Sequence, residues 1–555
     1  MAFESSSPAR AKRMPFAFPA RGLSLLVAAI CVLPMVAVLV AALSGGTETL
    51  QHLAETRLWH FTANTLLLVV IVGLGTAVVG TGAAWLVTMC RFPGVRWLEI
   101  ALALPLAFPA YVMAYAYTDI LDHPGIVQTT LRDLTGWGPR DYWFPEIRSL
   151  GGAALMLIIV LYPYVYLLAR AAFLQQSATS FFAARTLGHS TWTTFFRINL
   201  PLARPAIAGG ILLAVMETIA DFGTVSYFAI QTYTTGIYQS WFAMADRAAA
   251  AQLALGLLSF ALLLAILERQ QRGAAKQYTG HGRYNTLPRM RLTGWKAIAA
   301  TTACAVPVIF GFALPTVVLF VMGLGSEQDL TSSRYIRFIQ NSVTLAGTAA
   351  IVTVIGAVLL AFVSRLQPGR LIFGAREISR IGYAVPGGVI AVGLLVPFAA
   401  FDNAVDAFME TNFGIDTGLL LTGSIWLLVM AYMVRFMAVA LNTYESGLST
   451  IHPHVDAVTR TLGRTPAGML RAVHFPILTP SLLTAGLIVF IDVMKELPAT
   501  MIMRPFNFDT LAVQAHRLAS DERLEGAAVP SLVIVALGML PVILVCRGIG
   551  RQRST

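Results

Sequence analysis

The chain has 555 residues, of which 57% are hydrophobic and only 12% are charged, and its mean hydropathy is +0.70. This composition excludes an ordinary soluble globular protein and predicts a polytopic membrane protein. The net charge of +11 does not indicate nucleic-acid binding, because the cations lie in short segments between apolar runs, as in cytoplasmic loops. The four cysteines lack the spacing of a metal site or a disulfide framework.

The first apolar run, at about residues 22–43, is long enough to cross a bilayer, which needs about 20 residues, and longer than the apolar core of a cleavable signal peptide. Five further spans are predicted in the first half, at about 61–89, 98–120, 150–170, 206–226 and 249–267. Six follow a basic linker, at about 297–323, 340–363, 381–401, 418–441, 481–501 and 529–547. The predicted fold class is an all-α polytopic membrane protein with about twelve transmembrane helices.

The two halves are predicted to be parallel six-helix repeats. Asn64 corresponds to Asn341 at an offset of 277 residues, and Glu217 corresponds to Asp492 at an offset of 275. Because each half has an even number of spans, the repeats share one orientation and are related by an axis along the membrane normal. The predicted regions are a cytoplasmic N-terminal tail (1–20), a first permease half (21–268), a cytoplasmic basic linker (269–296), a second permease half (297–547) and a cytoplasmic C-terminal tail (548–555).

The distribution of Lys and Arg predicts the orientation of the chain. Segments assigned to the cytoplasmic side hold 27 of the 39 Lys and Arg residues, segments assigned to the outside hold 10, and two lie within spans. Positive charge collects on the cytoplasmic side of membrane proteins. Both termini are therefore expected in the cytoplasm.

A glycine-centred pattern occurs once in each half, on the predicted cytoplasmic side. The first copy spans residues 182–188 and is followed by Pro201, and the second spans residues 457–463 and is followed by Pro476. Each copy predicts two short helices around a glycine that supplies a left-handed stop. One copy alone would be typical of an ordinary interfacial hairpin, whereas two equivalent copies indicate paired docking elements for a symmetric partner.

The first copy resembles the cytoplasmic signature loop of binding-protein-dependent ABC importer permeases, in which a short helix docks into a groove on an ATPase subunit. The resemblance implies these docking residues: Ala183, Ala184, Gly188, Pro201, Gly463 and Pro476. The acidic residue that leads the loop in the family is absent from both copies. Since the chain has no Gly-x-x-x-x-Gly-Lys-Ser/Thr phosphate loop, ATP and Mg²⁺ are expected on a separate ATPase, present in two copies, and no cofactor is expected on this chain.

Four acidic residues fall within predicted spans, as two pairs with i, i+4 spacing: Glu217 and Asp221, and Asp492 and Glu496. This spacing predicts that each pair shares a helix face. Ionisable side chains at membrane depth are costly and usually face water or a partner. The four acids are therefore predicted to line the translocation pathway. The alternatives are hydrogen bonding between helices and, for Glu496, pairing with Lys495.

The segments around these acids resemble iron(III) importer permeases. The resemblance is carried by residues 217–228 in the first half and by residues 495–500 and 504–512 in the second, and it extends over about residues 20–550. It implies a bacterial inner-membrane permease with two fused halves that takes up iron(III) from a periplasmic binding protein. Carboxylate oxygen suits a hard cation, but the sequence does not identify metal ligands.

Several alternatives to iron uptake stay open at this stage. Permeases for thiamine and for aminoethylphosphonate share much of the same sequence pattern, and acids also suit polyamines. An ion-coupled secondary transporter can have two parallel six-span repeats and would need no ATPase. A receptor or an ion channel is a third possibility. In none of these readings does the chain itself carry out covalent chemistry, so it is not expected to be an enzyme.

We predict that replacing Gly188 or Gly463 by valine weakens association with the ATPase. The helix stop needs a left-handed conformation that only glycine adopts at low cost. Co-purification of the ATPase with the gently solubilised chain measures the effect. Normal ATPase binding and transport by both Gly→Val variants would show that these loops are not the docking elements.

Overall fold

The computed structural model of the chain describes residues 17–45, 47–174, 176, 186, 191–275, 289–326, 328–329 and 331–551. The principal helices of the first half are α1 (Ala17–Ser44), α2 (Leu58–Met89), α3 (Ala110–Leu121), α4 (Leu150–Leu174), α5 (Leu200–Ala220) and α6 (Arg247–Ala275). Those of the second half are α7 (Trp295–Gly325), α8 (Ser333–Leu366), α9 (Gly387–Phe413), α10 (Ile425–Leu448), α11 (Phe475–Met494) and α12 (Leu524–Arg551).

Shorter elements connect these helices in the described ranges. The helical ones are Thr47–Thr56, Val95–Ala101, Leu104–Ala107, Ile126–Thr135, Thr191–Thr194, Phe195–Asn199, Gly223–Tyr227, Tyr233–Tyr238, Gln239–Ala243, Arg370–Ser379, Ile381–Ala384, Pro453–Thr461, Pro466–Met469, Leu470–His474, Pro498–Met503 and Leu511–Ser520. Two strands of two residues each, β1 (Cys90–Arg91) and β2 (Met290–Arg291), pair in parallel.

Eleven helices in the described part of the chain are long and apolar enough to cross a membrane. A bent pair, Val95–Ala107 and Ala110–Thr135, gives a twelfth span, and its two parts meet at an angle of 95°. The predicted all-α polytopic fold with about twelve spans is therefore confirmed. The single continuous helix expected at about 98–120 is wrong, because the chain is broken in the middle of that range.

Prolines at equivalent places produce these breaks. Pro109 precedes α3 with φ −65° and ψ 141°, and Pro386 precedes α9 with φ −58° and ψ 144°. A proline lacks the N–H that a helix interior needs and pushes the residue before it toward extended backbone. Each proline follows a 3₁₀ turn, Leu104–Ala107 or Ile381–Ala384. The two halves thus share the break, as repeats should.

Matching hydrogen bonds also relate the two halves. The side-chain amide of Asn64, on α2, donates to the carbonyl oxygen of Gln231 at 2.8 Å. The amide of Asn341, on α8, donates to the carbonyl oxygen of Asp509 at 3.0 Å. Both bonds tie the start of a long helix to the loop that follows an acid-bearing segment. Equivalent residues therefore make equivalent contacts, as the 277-residue offset between them predicts.

The first helix of each half packs against the other half. In α1, the Ser24 hydroxyl lies 3.4 Å from the carbonyl oxygen of Leu359 on α8. In α7, the carbonyl oxygen of Phe310 accepts a hydrogen bond of 2.6 Å from the Tyr117 hydroxyl on α3, and the ring of Phe312 packs edge-on against that of Phe108. This exchange interlocks the two halves, and the span pattern of the sequence gave no indication of it.

We predict that Gly393→Ala destabilises the interlocked halves. A Cβ at Gly393 on α9 would lie 2.3 Å from the backbone oxygen of Pro34 on α1, so the helices must separate, at a cost of about 1–3 kcal/mol. Gly347→Ala on α8 is the matched control, because a Cβ there meets no atom within 4 Å. Thermal unfolding of the purified chain in detergent measures both. Equal unfolding midpoints for the two variants would contradict this packing.

Candidate functional site

A cavity of about 120 Å³ lies between the two halves and is lined by residues of both. Its charged lining residues are Glu217, Asp221, Arg435, Asp492, Lys495 and Glu496. All four acids predicted from the sequence therefore meet in one place. With four carboxylates and two cationic side chains, the lining has a formal charge of −2. Such a surface favours a cation over an anion.

Asp221 ends one helix and begins the next. Helix α5 stops at Ala220, and Asp221 has an extended conformation, with φ −64° and ψ 131°. Its carboxylate accepts hydrogen bonds from the backbone N–H groups of Thr224 and Val225, both at 3.1 Å, and from the Thr224 hydroxyl at 3.0 Å. A carboxylate that caps the following turn competes with continuation of the helix. The prediction that Glu217 and Asp221 share a helix face is therefore wrong.

Glu496 has the equivalent role in the second half. Helix α11 ends at Met494, and the Glu496 carboxylate accepts the backbone N–H groups of Ala499 at 3.1 Å and Thr500 at 3.3 Å. The hydroxyl of Tyr432 donates to the same carboxylate at 3.1 Å. The shared helix face predicted for Asp492 and Glu496 is wrong for the same reason.

Two ionic contacts hold the remaining acids. Lys495 pairs with Asp492 at 2.9 Å, rather than with Glu496 as the alternative reading proposed. Glu217 accepts a hydrogen bond of 3.0 Å from the Tyr383 hydroxyl and lies 3.9 Å from a guanidinium nitrogen of Arg435. Since Tyr383 and Arg435 belong to the second half, Glu217 links the two halves across the cavity.

The charges of the cavity do not follow the repeat. The acids occupy equivalent positions in the two halves, but both cations come from the second half. The residues 275 positions before Arg435 and Lys495 are Val160 and Ala220, which are apolar. Sequence reasoning placed the two cations within spans without assigning them to the pathway, although a lone cation in an apolar span is a signal of a functional site. It also missed Tyr383, because a tyrosine hydroxyl carries no comparable signal.

The second docking loop is described, whereas Ala183, Ala184 and Gly188 of the first lie outside the described residues. Gly463 has a φ of +74°, which confirms its left-handed conformation. The Thr465 hydroxyl accepts a hydrogen bond from the backbone N–H of Gly468 at 3.1 Å and caps the helix Pro466–Met469. The proposed docking prolines, Pro201 and Pro476, lie in the first turns of α5 and α11.

A buried charge cluster anchors this loop to the membrane helices. Asp456, in the loop helix Pro453–Thr461, accepts hydrogen bonds from His474 at 2.7 Å and from Arg365, at the end of α8, at 2.5 Å. Arg365 also donates to the carbonyl oxygens of Leu448 and Ile451, at 2.8 and 2.7 Å. Burial alone would raise the pKa of Asp456, but the bonds from His474 and Arg365 outweigh it and lower the pKa below its ordinary value. The carboxylate therefore stays ionised and keeps the loop in place.

Comparison with known proteins gives consistent matches. Residues 11–273 match a family described as the binding-protein-dependent transport system inner membrane component. The chain is 25% identical over 517 residues to the Fe(3+)-transport system permease protein FbpB 2 of Haemophilus influenzae, which covers 92% of this chain and 94% of that protein. It is 22% identical over 548 residues to the ferric transport system permease protein FbpB of Actinobacillus pleuropneumoniae, covering 94% and 76%.

A third relative has a different cargo in its name. The chain is 32% identical over 207 residues to the sulfate transport system permease protein CysW of Escherichia coli K12, which covers 37% of this chain and 68% of that protein.

We predict that the two acids of the first half fail in different ways when neutralised. Asp221→Ala removes the acceptor of three hydrogen bonds and should lower the free energy of unfolding by about 0.5–2 kcal/mol, as the loss of a helix cap does. Glu217→Gln keeps an acceptor for the Tyr383 hydroxyl and should change stability much less. Thermal unfolding midpoints compare the variants. A larger loss of stability in Glu217→Gln than in Asp221→Ala would refute the capping role.

Proposed function

Because the chain belongs to the family of inner membrane components of binding-protein-dependent transport systems, we propose that it is the permease of an ATP-driven importer for iron(III). The chain is a transport subunit and not a catalytic enzyme. The observation that carries the iron assignment is the acidic cavity between the halves, in a chain that aligns over 92% of its length with an Fe(3+)-transport permease.

The cavity supplies what passage of a cation through a membrane needs. Moving charge through a low-dielectric core is costly, and fixed carboxylates along the path offset that cost. Glu217 and Asp492 are the acids available for this task, because Asp221 and Glu496 are engaged in capping backbone N–H groups. In the empty cavity, Lys495 and Arg435 neutralise part of the charge of these two acids.

The docking loops couple ATP hydrolysis to the cavity. Helix α11 begins at Phe475, beside the anchored loop, and ends at Met494, next to the acids. A helix of 20 residues is a rigid rod about 30 Å long. When two ATPase subunits draw the docking loops together, α5 and α11 move with them, and the interface between the halves changes its packing. The interlocked first helices hold the halves together during this motion.

The partners and orientation belong to the same proposal. Two copies of a cytoplasmic ABC ATPase bind one docking loop each and carry ATP and Mg²⁺. A periplasmic binding protein delivers the iron from the other side. Both termini lie in the cytoplasm, which the excess of Lys and Arg in the segments on that side supports.

Uptake by the reconstituted complex tests the proposal. Proteoliposomes with the co-purifying ATPase and binding protein should accumulate iron(III) only when ATP is supplied, and should not accumulate thiamine, aminoethylphosphonate or sulfate. Accumulation of one of those cargoes instead of iron would replace the substrate assignment. Uptake that survives ATP depletion while a proton gradient is maintained would indicate a secondary transporter, and flux without accumulation would indicate a channel.

We predict that the double variant Glu217→Gln, Asp492→Asn assembles normally but takes up iron(III) at least about tenfold more slowly, because the pathway loses its uncapped negative charges. Glu410→Gln, at an exposed position near the end of α9, is the control and should transport at the unmodified rate. Unchanged uptake by the double variant would show that these carboxylates do not serve a cation pathway. Loss of assembly in proportion to loss of uptake would indicate a structural role.

A further inference from the structure

Two tyrosine hydroxyls lie beside the uncapped acids of the cavity. Tyr164, on α4 of the first half, and Tyr383, in the turn Ile381–Ala384 of the second half, both line it. The Tyr383 hydroxyl donates to Glu217 at 3.0 Å, and the Tyr164 hydroxyl neighbours that of Tyr383. Both phenols lie within electrostatic range of Glu217 and Asp492. Each half thus contributes one phenol and one carboxylate to a single cluster of oxygen atoms.

These tyrosines are not a by-product of the repeat. The residue 277 positions before Tyr383 is Leu106, and the residue 275 positions after Tyr164 is Val439. Each phenol therefore has an apolar counterpart in the other half. The cluster forms only because the packing brings unrelated positions of the two halves together.

Carboxylates alone do not form a metal site here. Across the described ranges, no group of three or more His, Cys, Asp or Glu side chains could hold a metal ion. Hard cations prefer oxygen ligands, and a phenolate is a strong anionic oxygen donor for a ferric ion, as the tyrosine ligand of haem iron in catalase illustrates. The phenols supply the oxygen donors that the carboxylates lack.

We propose that Tyr383 is the phenolate ligand of a transient iron(III) site in the pathway, with Asp492 as a carboxylate ligand and Tyr164 as hydrogen-bond donor to the phenolate. The site rests on the proposed function, since iron(III) must be the cargo. A phenolate strengthens binding of a trivalent ion more than that of a divalent one, because the attraction grows with the charge of the metal. Tyr383 is therefore a selectivity-determining residue.

The binding step exchanges one proton and no electron. The O–H bond of Tyr383 breaks, an O–Fe bond forms, and the proton passes to the Glu217 carboxylate, which already accepts the hydrogen bond of Tyr383. The iron remains ferric throughout. Lys495 leaves Asp492, with which it pairs at 2.9 Å when the site is empty. Lys495 therefore acts as a placeholder that discourages other cations from occupying the empty site.

The placement of the ligands also explains release. Tyr383 and Asp492 belong to the second half, whereas Tyr164 and the proton acceptor Glu217 belong to the first. When the halves separate, Glu217 and Tyr164 move away from the phenolate and no longer stabilise it. Reprotonation of Tyr383 then frees the iron, so that binding and release follow the movement of the interface.

Visible spectroscopy of the full complex in nanodiscs tests the site. Ferric nitrilotriacetate is the iron(III) probe, because iron(III) bound to phenolate has a visible charge-transfer absorption, which gallium(III) does not produce. We expect this band in the unmodified complex and its loss in Tyr383→Phe. Tyr164→Phe should keep the band at a shifted wavelength and weaken iron affinity about 10-fold to 100-fold, as loss of a hydrogen bond to a ligand does. Tyr335→Phe is the control, since Tyr335 is buried outside the cavity, and it should change nothing.

The outcomes separate this site from the proposed function. Resonance Raman modes of a phenolate in the unmodified complex would support the site even if Tyr383→Phe failed to assemble. Iron(III) uptake without a phenolate band, or with a band that persists in Tyr383→Phe, would overturn the site and leave the importer assignment intact. Absence of both iron binding and iron uptake, with transport of another cargo, would overturn the importer's substrate and the site together.

Discussion

The structure depends on two carboxylates that cap short helices inside the membrane region. In a medium without water, every backbone N–H and C=O group needs a partner within the protein. Where α5 and α11 stop, Asp221 and Glu496 supply acceptors for the N–H groups of the next turn. Because these caps make the breaks tolerable, the chain can turn beside the interface and leave the cavity open. The same residues thus provide two of the cavity's four negative charges and the local structure that shapes it.

The cavity is built from a repeat that has been made asymmetric. Glu217 and Asp492 are equivalent, but the first is linked to Tyr383 and Arg435 across the interface, whereas the second pairs with its neighbour Lys495. The cations reduce the cost of holding uncapped carboxylates at membrane depth in the absence of cargo. An arriving cation must compete with them, which favours a highly charged ion over a monovalent one. Asymmetry therefore contributes selectivity that two identical halves would lack.

Coupling between the cytoplasmic side and the cavity follows from continuous helices. Helices α5 and α11 each start next to a docking loop and end next to an acid. In the second half, Arg365 and His474 bind Asp456 and attach the loop to the transmembrane helices, so that the loop moves with them. Meanwhile α1 and α7 cross to the opposite half. Rigid helices within an interlocked pair of halves allow the interface to repack without separation of the two halves.

The sequence by itself determined the spans, the repeat and the four acids of the cavity, because hydropathy, residue offsets and charge within apolar runs are local properties of the chain. It also predicted the left-handed Gly463, since a glycine between two short helical segments has few other uses. Only the tertiary structure decided that the helices end at Ala220 and Met494, because a capping carboxylate and an ordinary i, i+4 acid have the same spacing. The exchange of α1 and α7, and the arrival of Tyr383 and Arg435 beside Glu217, depend on which helices pack together. That choice rests on the fit of whole helix surfaces across the two halves, which the periodicity of one sequence does not encode.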